Sequence, residues 1–251
     1  LHNQFTWAPT TYPVVPGYQR VGTITALGAG VSGWKEGDVV MATNSSWATS
    51  PVPFWGSHAS LANTKAENVY SLPEGANPVD AAATVVVQVG YNAAYRPYLE
   101  PGDWVVVYGD GPIGQFGAQA ARARGARTIL VGHRAERLTA ATAHSADHAL
   151  ADGPDTVEQI RAITGEQHVP VIIGTVQKHA CQESYMPLMA HGQGQIVYSG
   201  FSPAEPWASM NSLHIQELTT HYISGINRAR MEATLNLMAA GRLALTPLIT
   251  H

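Results

Sequence analysis

The chain has 251 residues, 45% hydrophobic and 13% charged, which predicts a compact globular protein and excludes an intrinsically disordered one. The formal net charge is −4 and there is no run of Lys or Arg, so we expect no nucleic-acid partner, because phosphate backbones attract basic surfaces. The single cysteine, Cys181, excludes an intrachain disulfide and is typical of a reducing compartment, so we expect a cytoplasmic protein.

The first third of the chain predicts a small β-rich domain followed by a helix. Short apolar runs bounded by glycine, proline or asparagine occupy residues 20–27, 38–42 and 68–72, as is typical of strands. Residues 78–96 are rich in alanine, and Asn77 followed by Pro78 is a favoured helix start, so this segment is predicted to be helical.

From residue 104 onward strands and helices alternate, which predicts a parallel sheet covered by helices. Strands are predicted at residues 104–108, 128–132, 169–173 and 195–200. Helices are predicted at residues 113–124, 155–164, 178–190 and 228–240, the last ending at Gly241 as helices often end at glycine.

The strongest motif is G-x-G-x-x-G, which follows a predicted strand and opens a predicted helix. Residues 105–126 read VVVYGDGPIGQFGAQAARARGA. Gly109 permits a tight turn, Gly111 leaves room for a pyrophosphate and Gly114 allows the helix to pack closely on the strand. Phosphates would meet the free N–H groups of the helix that begins at Pro112 and Ile113. This context predicts a Rossmann domain that binds a pyridine dinucleotide.

The end of the next strand predicts that the nucleotide is NADP(H). NAD-binding sites carry an acid there for the ribose hydroxyls, whereas this chain has Gly132, followed by His133 and Arg134. We expect Gly132 to leave space for the 2′-phosphate, Arg134 to bind it, and His133 or Arg137 to assist.

With these residues placed, the chain resembles the medium-chain dehydrogenase/reductase superfamily. The resemblance is carried by residues 12–38 (YPVVPGYQRVGTITALGAGVSGWKEGD), 56–75, 100–138, 192–200 (GQGQIVYSG) and 248–251. It implies a doubly wound Rossmann domain at residues 96–242, a partial GroES-like β-rich domain at 1–95, a return toward that domain at 243–251, and a homodimer formed through the segment 201–230. Gly-Ser-Arg at the end of the second strand accompanies NADP use in this superfamily, and residues 132–134 are similar.

The ends of the chain indicate that pieces are missing. The chain begins with Leu1, lacks the layout of a signal peptide and stops just after the apolar segment 243–249. The resemblance implies that the first strands and the closing β-segment of the superfamily are absent. No apolar stretch approaches the ~20 residues of a membrane helix, so we expect no membrane partner.

The zinc ligands of the superfamily are not matched, so we expect no metal. Gly-His-Glu of the zinc-dependent branch is replaced by glycine followed by Tyr18 and Gln19, and a later ligand falls near Val85. His144 and His148 have helical spacing but no H-E-x-x-H pattern, and we interpret them as two partly exposed histidines at a helix end.

Without zinc, side chains must stabilise or protonate the charge that develops on the substrate. Tyr18 and Gln19 hold the replaced ligand positions, and the resemblance brings His58 and Tyr91 near the nicotinamide. The candidate walls of an apolar pocket are Trp47, Phe54 and Trp55. The candidate backbone contacts of the nicotinamide are Gly174, Thr175, Val176, Ser199, Gly200, Phe201 and Gly225. Cys181 is expected to be a small core residue.

Three functions stay open at this point. The first is a zinc-independent NADP(H) oxidoreductase of a small carbonyl or alcohol, a quinone or a conjugated double bond, similar to quinone reductases and alcohol dehydrogenases. The second is a hydroxyethyl dehydrogenase of the bacteriochlorophyllide type, suggested by the local sequence YPVVPGYQ. The third is a nucleotide-binding protein without turnover.

Overall fold

A computed structural model describes residues 12–201 and 206–250 of the chain. It divides into two compact units, one of residues Leu1–Val85 with Met231–Ala240, the other of Val86–Arg230 with Gly241–His251. This division places most of the last helix with the first unit, unlike the boundaries predicted above. The first residues, interpreted above as lacking a signal peptide, lie outside the described part, as do residues 202–205 of the predicted dimer segment. No helix among the described residues has the length and apolar character needed to cross a bilayer.

The first unit is built from short strands and one helical turn. Its elements are β1 (Val14–Val15), β2 (Gln19–Thr23), β3 (Val39–Thr43), β4 (Val52–Pro53), β5 (Val69–Ser71) and α1 (Pro78–Ala81). β2, β3 and β5 form an antiparallel sheet in that order, and β1 pairs with β4 in parallel. The three predicted strands are therefore present: β2 and β5 are shorter than their apolar runs, and β3 has the same length and is shifted by one residue.

One face of this small sheet is covered by helical residues. Met41 and Tyr70 pack with Ala81 and Val85, and with Met231 and Leu235. Val40, Ala42 and Val69 pack together on the opposite face of the sheet, so β3 is buried at four consecutive positions.

The second unit contains a six-stranded parallel sheet with helices between its strands. Its elements are α2 (Thr84–Tyr95, beginning at the end of the first unit), β6 (Trp104–Tyr108), α3 (Pro112–Ala123), β7 (Arg127–Gly132), α4 (Ala135–Ala140), β8 (His148–Ala151), α5 (Thr156–Thr164), β9 (Val171–Gly174), α6 (His179–Tyr185), β10 (Gln195–Tyr198), α7 (Met210–Ile215) and β11 (Thr219–Tyr222). The last helix, α8 (Arg228–Ala239), follows β11, and most of it belongs to the first unit. The strand order is β11-β10-β9-β6-β7-β8, with all neighbours parallel. This is the 3-2-1-4-5-6 order of the Rossmann fold, so the predicted fold class is confirmed.

Strand β6 lies at the centre of the sheet and is buried along its whole length. Its run of valines suits a strand covered by helices on both faces, because no position faces water. Gly90 of α2 lies so close to α3 that a Cβ there would be 2.7 Å from the nitrogen of Gly117. Glycine at this position therefore lets the two helices approach each other.

Several predicted elements differ in extent, for local reasons. The predicted helix 78–96 is interrupted after Ala81, where Thr84 donates its hydroxyl to the Ala81 carbonyl at 2.6 Å and a new helix begins. The predicted helix 178–190 ends as an α-helix at Tyr185, and a short 3-10 turn containing Pro187 follows, because proline lacks the N–H that the helix needs. The helix α7 was not predicted.

The interpretation of two histidines on one helix end is wrong. His144 lies in a π-helical turn, Ala141–Ser145, whereas His148 opens strand β8. The connection between them is extended at Ala146, so their spacing of four does not place them on one helical face.

Candidate functional site

The glycine motif forms a tight turn at the carboxyl end of β6, where the sheet reverses its strand order. Gly109 has φ of +118°, and a Cβ there would overlap the hydroxyl of Thr175. Thr175 donates both its backbone N–H and its hydroxyl to the Tyr108 carbonyl at 2.9 Å. The turn is therefore fixed from the neighbouring strand β9, and only glycine fits at its first position.

The other two glycines of the motif have the open space and the close contact that their predicted roles require. Gly111 caps α3, with Pro112 in its first turn, and a Cβ at Gly111 would meet no atom within 4 Å. Gly114 lies against the Gly109 carbonyl so closely that a Cβ would overlap its oxygen. The space in front of Gly111 faces the first turn of α3, where unpaired backbone N–H groups favour an anion. These residues fit the pyrophosphate of a dinucleotide.

The segments after β9 and β10 lie at the same edge of the sheet. Ser199 donates its N–H to the Gly174 carbonyl at 2.9 Å, and a Cβ on Gly200 would overlap the side-chain oxygen of Gln177. Residues 174–176 and 199–201 thus form two adjacent backbone segments, of which Thr175 and Val176 lie beside Gly109, and Val176 and Phe201 are exposed. Gly225, after β11, has φ of +72° and open space around its Cβ position.

At the end of β7 the structure differs from the prediction, because Asp110 fills the space beside Gly132. A Cβ on Gly132 would be 2.6 Å from Asp110 Oδ2 and 2.7 Å from its Cγ. The space that was assigned to a 2′-phosphate therefore holds a carboxylate of the glycine turn itself. The register of β6 with β7 pairs Tyr108 with Val131, so the residues that follow each strand become neighbours.

Asp110 is held by three donors. The backbone N–H groups of His133 and Arg134 each donate to its Oδ2 at 2.8 Å, and Arg137 Nη1 lies 3.3 Å from its Oδ1. Burial raises the pKa of this carboxyl, but the hydrogen bonds from Arg134, His133 and Arg137 outweigh burial and lower the pKa below its ordinary value. Asp110 is therefore ionised at neutral pH.

The three basic residues near Gly132 differ in their contacts. Arg137 pairs with Asp110, and His133 Nε2 lies 3.4 Å from Asp152 Oδ2. For the Arg134 side chain, the structure gives no hydrogen bond or ion pair within residues 12–201 and 206–250. Of the predicted phosphate ligands, Arg134 is the one whose guanidinium is available.

In the first unit, five candidate residues come together around the turn that follows β1. Backbone bonds from Ser57 to Gly17 and from His58 to Pro16 hold the two segments side by side, and the His58 ring lies over Gly17. The other four members are aromatic. Tyr18 packs edge-to-face on Trp55 with ring centroids 5.3 Å apart, and the rings of Phe54 and Trp55 are 4.5 Å apart. Trp47 closely approaches Gly56, the residue after Trp55.

A half-buried arginine that was not singled out from the sequence supports this cluster. Arg20 Nη1 donates to Ser45 at 2.6 Å and to Ser57 at 3.2 Å, and its Nη2 donates to Thr64. Ser45 and Thr64 pass hydrogen bonds on to the carbonyls of Gly56 and Asn44. The guanidinium therefore fixes the loop that carries the aromatic side chains.

Two predicted catalytic residues have structural contacts. Gln19 accepts a hydrogen bond from the backbone N–H of Val85 at 2.6 Å, in the first turn of α2. Tyr91, on the same helix within the second unit, stacks on Tyr95 at 4.1 Å. Burial, and then the neighbouring Tyr95, raise the pKa of Tyr91, so its phenol stays protonated at neutral pH.

Other reactive groups do not form a site. Cys181 is partly buried, and burial raises the pKa of its thiol to about 11, which favours the inert thiol over the thiolate. Among the described residues, no group of three or more His, Cys, Asp or Glu side chains is arranged to hold a metal ion.

Comparisons with known proteins agree with this architecture. A family model described as zinc-binding dehydrogenase matches residues 112–240, and one described as alcohol dehydrogenase GroES-like domain matches residues 2–74. The sorbitol dehydrogenase of Bacillus subtilis (strain 168) is 27% identical over 210 residues, which cover 75% of this chain and 59% of that relative. The chain thus spans about three fifths of the length of that protein.

Two solved structures with different cofactors share the fold. The quinone oxidoreductase of Escherichia coli complexed with NADPH matches with a TM-score of 0.75 and 22% identity, covering 94% of this chain and 74% of that one. An alcohol dehydrogenase of E. coli CFT073 complexed with NADH matches with a TM-score of 0.77 and 22% identity, covering 95% and 75%. At this identity the likeness establishes the fold and leaves the choice of cofactor open.

Proposed function

The chain belongs to the zinc-binding dehydrogenase family, within the medium-chain dehydrogenase/reductase superfamily, and on this basis we propose that it is an NADP(H)-dependent oxidoreductase. Its substrate is a small carbonyl or alcohol, a quinone or a conjugated double bond. When bound, the nicotinamide supplies the hydride chemistry, and the protein binds, orients and balances charge.

The glycine turn at the centre of the parallel sheet is the observation that carries this proposal. Gly109 and Gly114 allow contacts that no other residue would fit, while Gly111 leaves open space in front of the first turn of α3. The pyrophosphate is held there by backbone N–H groups, and the backbone segments after β9 and β10 bound the nicotinamide end.

The preference for NADP(H) rests on Arg134. No acid occupies position 132, and the Arg134 guanidinium is exposed and without a partner in the described part of the chain. A 2′-phosphate carries about −1.5 to −2 charges and is bound well by the forked donors of arginine. His133 and Arg137 assist less, because each already faces an acid.

The proton and the substrate are handled by side chains instead of a metal. Tyr18 and His58 lie in the aromatic cluster of the first unit, and Tyr91 keeps its phenolic proton at neutral pH. Each can donate a hydrogen bond or a proton to a developing alkoxide or enolate. Gln19 is better suited to hold the start of α2 than to move a proton, because an amide does not titrate in this range. Trp47, Phe54 and Trp55 form an apolar wall.

The protein works without zinc, as a cytoplasmic homodimer. Tyr18 and Gln19, in the positions of a histidine and a glutamate, offer a phenol and an engaged amide, which are not usual zinc ligands. The cytoplasmic location rests on cysteine usage, and the dimer rests on the superfamily alone.

The test is nucleotide binding followed by turnover, with Arg134→Ala as the variant. We expect NADPH to bind and react better than NADH, and Arg134→Ala to weaken NADPH about 10- to 100-fold while changing NADH less than about threefold, as for a charge-assisted contact of about 1.5–3 kcal/mol. Arg161→Ala, on α5, is the matched control and should change neither. Equal binding of both nucleotides by the wild type would defeat the NADP assignment.

A panel of carbonyls, quinones and enones then identifies the reaction. Consumption of NADPH with one of these classes supports the proposal and names the substrate class. Tight binding of NADPH with no consumption across the panel would contradict the proposed activity and favour a nucleotide-binding protein without turnover.

A further inference from the structure

The carboxylate of Asp110 lies where a second anion, in addition to the pyrophosphate, would bind. It belongs to the glycine turn, yet it lies at the start of α4, with its side chain 11% exposed. It accepts the N–H groups of His133 and Arg134 and pairs with Arg137, so it occupies two backbone donors and one guanidinium at once. A phosphate can accept hydrogen bonds from the same kinds of donor, backbone N–H groups and a guanidinium.

The same residues are those to which the 2′-phosphate was assigned. Arg134 donates its backbone N–H to Asp110, and it offers its free guanidinium to the nucleotide. Arg137, one helical turn farther, turns its guanidinium to Asp110 instead of to the nucleotide. A phosphate bound by Arg134 therefore meets one available guanidinium, two backbone N–H groups that are already engaged and one negative charge nearby.

We propose that Asp110 is a specificity-determining residue which limits the affinity for NADP(H), by occupying with its own carboxylate the donors that a 2′-phosphate would otherwise use. This inference rests on the proposed function, since it presumes that Arg134 binds that phosphate. The two charges act in opposite directions: Arg134 favours NADPH, and Asp110 reduces that preference. The carboxylate also accepts the hydrogen bonds of these donors when the nucleotide is absent.

Asp110→Asn tests the inference with little change of shape. The amide oxygen still accepts the N–H groups of His133 and Arg134, whereas the NH₂ group cannot accept from Arg137 and carries no charge. Arg137 is thereby released, and the repulsion of the phosphate is removed. We expect NADPH to bind roughly tenfold more tightly, because one negative charge several ångströms from the 2′-phosphate is removed. NADH lacks this phosphate, so its dissociation constant should change less than about threefold.

The experiment is calorimetric or fluorescence titration of the full chain with NADPH and with NADH, at low salt and at ~1 M salt. Asp103→Asn is the matched control: Asp103 precedes β6 as Asp110 follows it, and its carboxylate accepts the N–H of Glu100 at 2.8 Å. The control should change neither dissociation constant. The gain of Asp110→Asn should shrink at high salt, which a purely structural effect would not do.

The outcomes separate this inference from the proposed function. Suppose that Arg134→Ala reduces the ratio of the NADH to the NADPH dissociation constant, but Asp110→Asn leaves this ratio unchanged or reduces it. This inference is then overturned and the proposed function stands. If Arg134→Ala has no effect on this ratio, the proposed function fails first. Should Asp110→Asn fold poorly, Arg137→Gln leaves the carboxylate unneutralised and must weaken NADPH selectively; unchanged NADPH binding would overturn the inference.

Discussion

A methyl group added at Gly132 tests whether the structure places Asp110 correctly. In Gly132→Ala the new Cβ would lie 2.6 Å from Asp110 Oδ2 and 2.7 Å from Cγ, about 1 Å inside the 3.5–4.0 Å of ordinary contact. Neither partner can yield freely, because Gly132 pairs with Ala151 in the sheet and Asp110 is held by three hydrogen bonds. We expect a loss of about 1–3 kcal/mol in the free energy of unfolding, the usual cost of overpacking.

The clash can be removed by a second substitution. Asp110→Gly eliminates Cβ, Cγ and Oδ2 together, and in that background Gly132→Ala should be neutral or stabilising by up to about 1 kcal/mol, because alanine restricts the unfolded chain. The coupling energy of the double-mutant cycle is therefore about 1–4 kcal/mol. At a urea slope of about 3 kcal/mol/M, the effect of Gly132→Ala on the urea midpoint should differ between the two backgrounds by roughly 0.3–1.3 M.

The assay is urea unfolding of the four proteins, followed by circular dichroism at equilibrium. If Gly132→Ala costs the same in both backgrounds, to within about 0.5 kcal/mol, then Asp110 does not occupy the space beside Gly132. In that case the contacts of Asp110 with His133 and Arg134, and the inference built on them, would be refuted as well.

Two further predictions concern the positions of the superfamily's metal ligands. Gln19→Leu leaves the N–H of buried Val85 without an acceptor, so it should lower the free energy of unfolding, measured by thermal unfolding, by about 1–3 kcal/mol. Gln19→Glu keeps an acceptor at the helix start and should lower it by less than about 1 kcal/mol. Equal losses of stability in the two variants would show that this hydrogen bond does not stabilise the protein. Dialysis against a chelator should leave turnover of the substrate found in the panel unchanged, and stoichiometric zinc in the active protein, measured by elemental analysis, would contradict the metal-free proposal.

Much of the second unit could be predicted from local sequence. The valine run of β6, the glycines of the turn and the alanine-rich helix after it are signals that act within a few residues. The strands β6, β7, β9 and β10 and the helices α3, α5, α6 and α8 were predicted. The outer strands β8 and β11 are short and only partly buried, and their bounds were not assigned from apolar runs. Local patterns predict elements well where burial is complete and poorly at the edges of a sheet.

The candidate catalytic residues were identified by resemblance, and the structure adds contacts that no spacing in the sequence contains. Gln19 and Val85 are far apart in the chain and meet because the small sheet packs on helical residues. The Arg20 contacts with three hydroxyls depend in the same way on a folded loop. These hydrogen bonds decide which side chains remain available for contact with a substrate or cofactor.

The glycine motif by itself determined the turn, the helix start and the absence of an acid at position 132, because these are properties of consecutive residues. It also contained the acid that mattered, Asp110, but nothing in a one-dimensional pattern says where that side chain points. Only the parallel register of β6 with β7 brought the two strand ends together and placed the carboxylate beside Gly132. Contacts between neighbouring strands depend on register, and register is decided by the packing of the whole sheet.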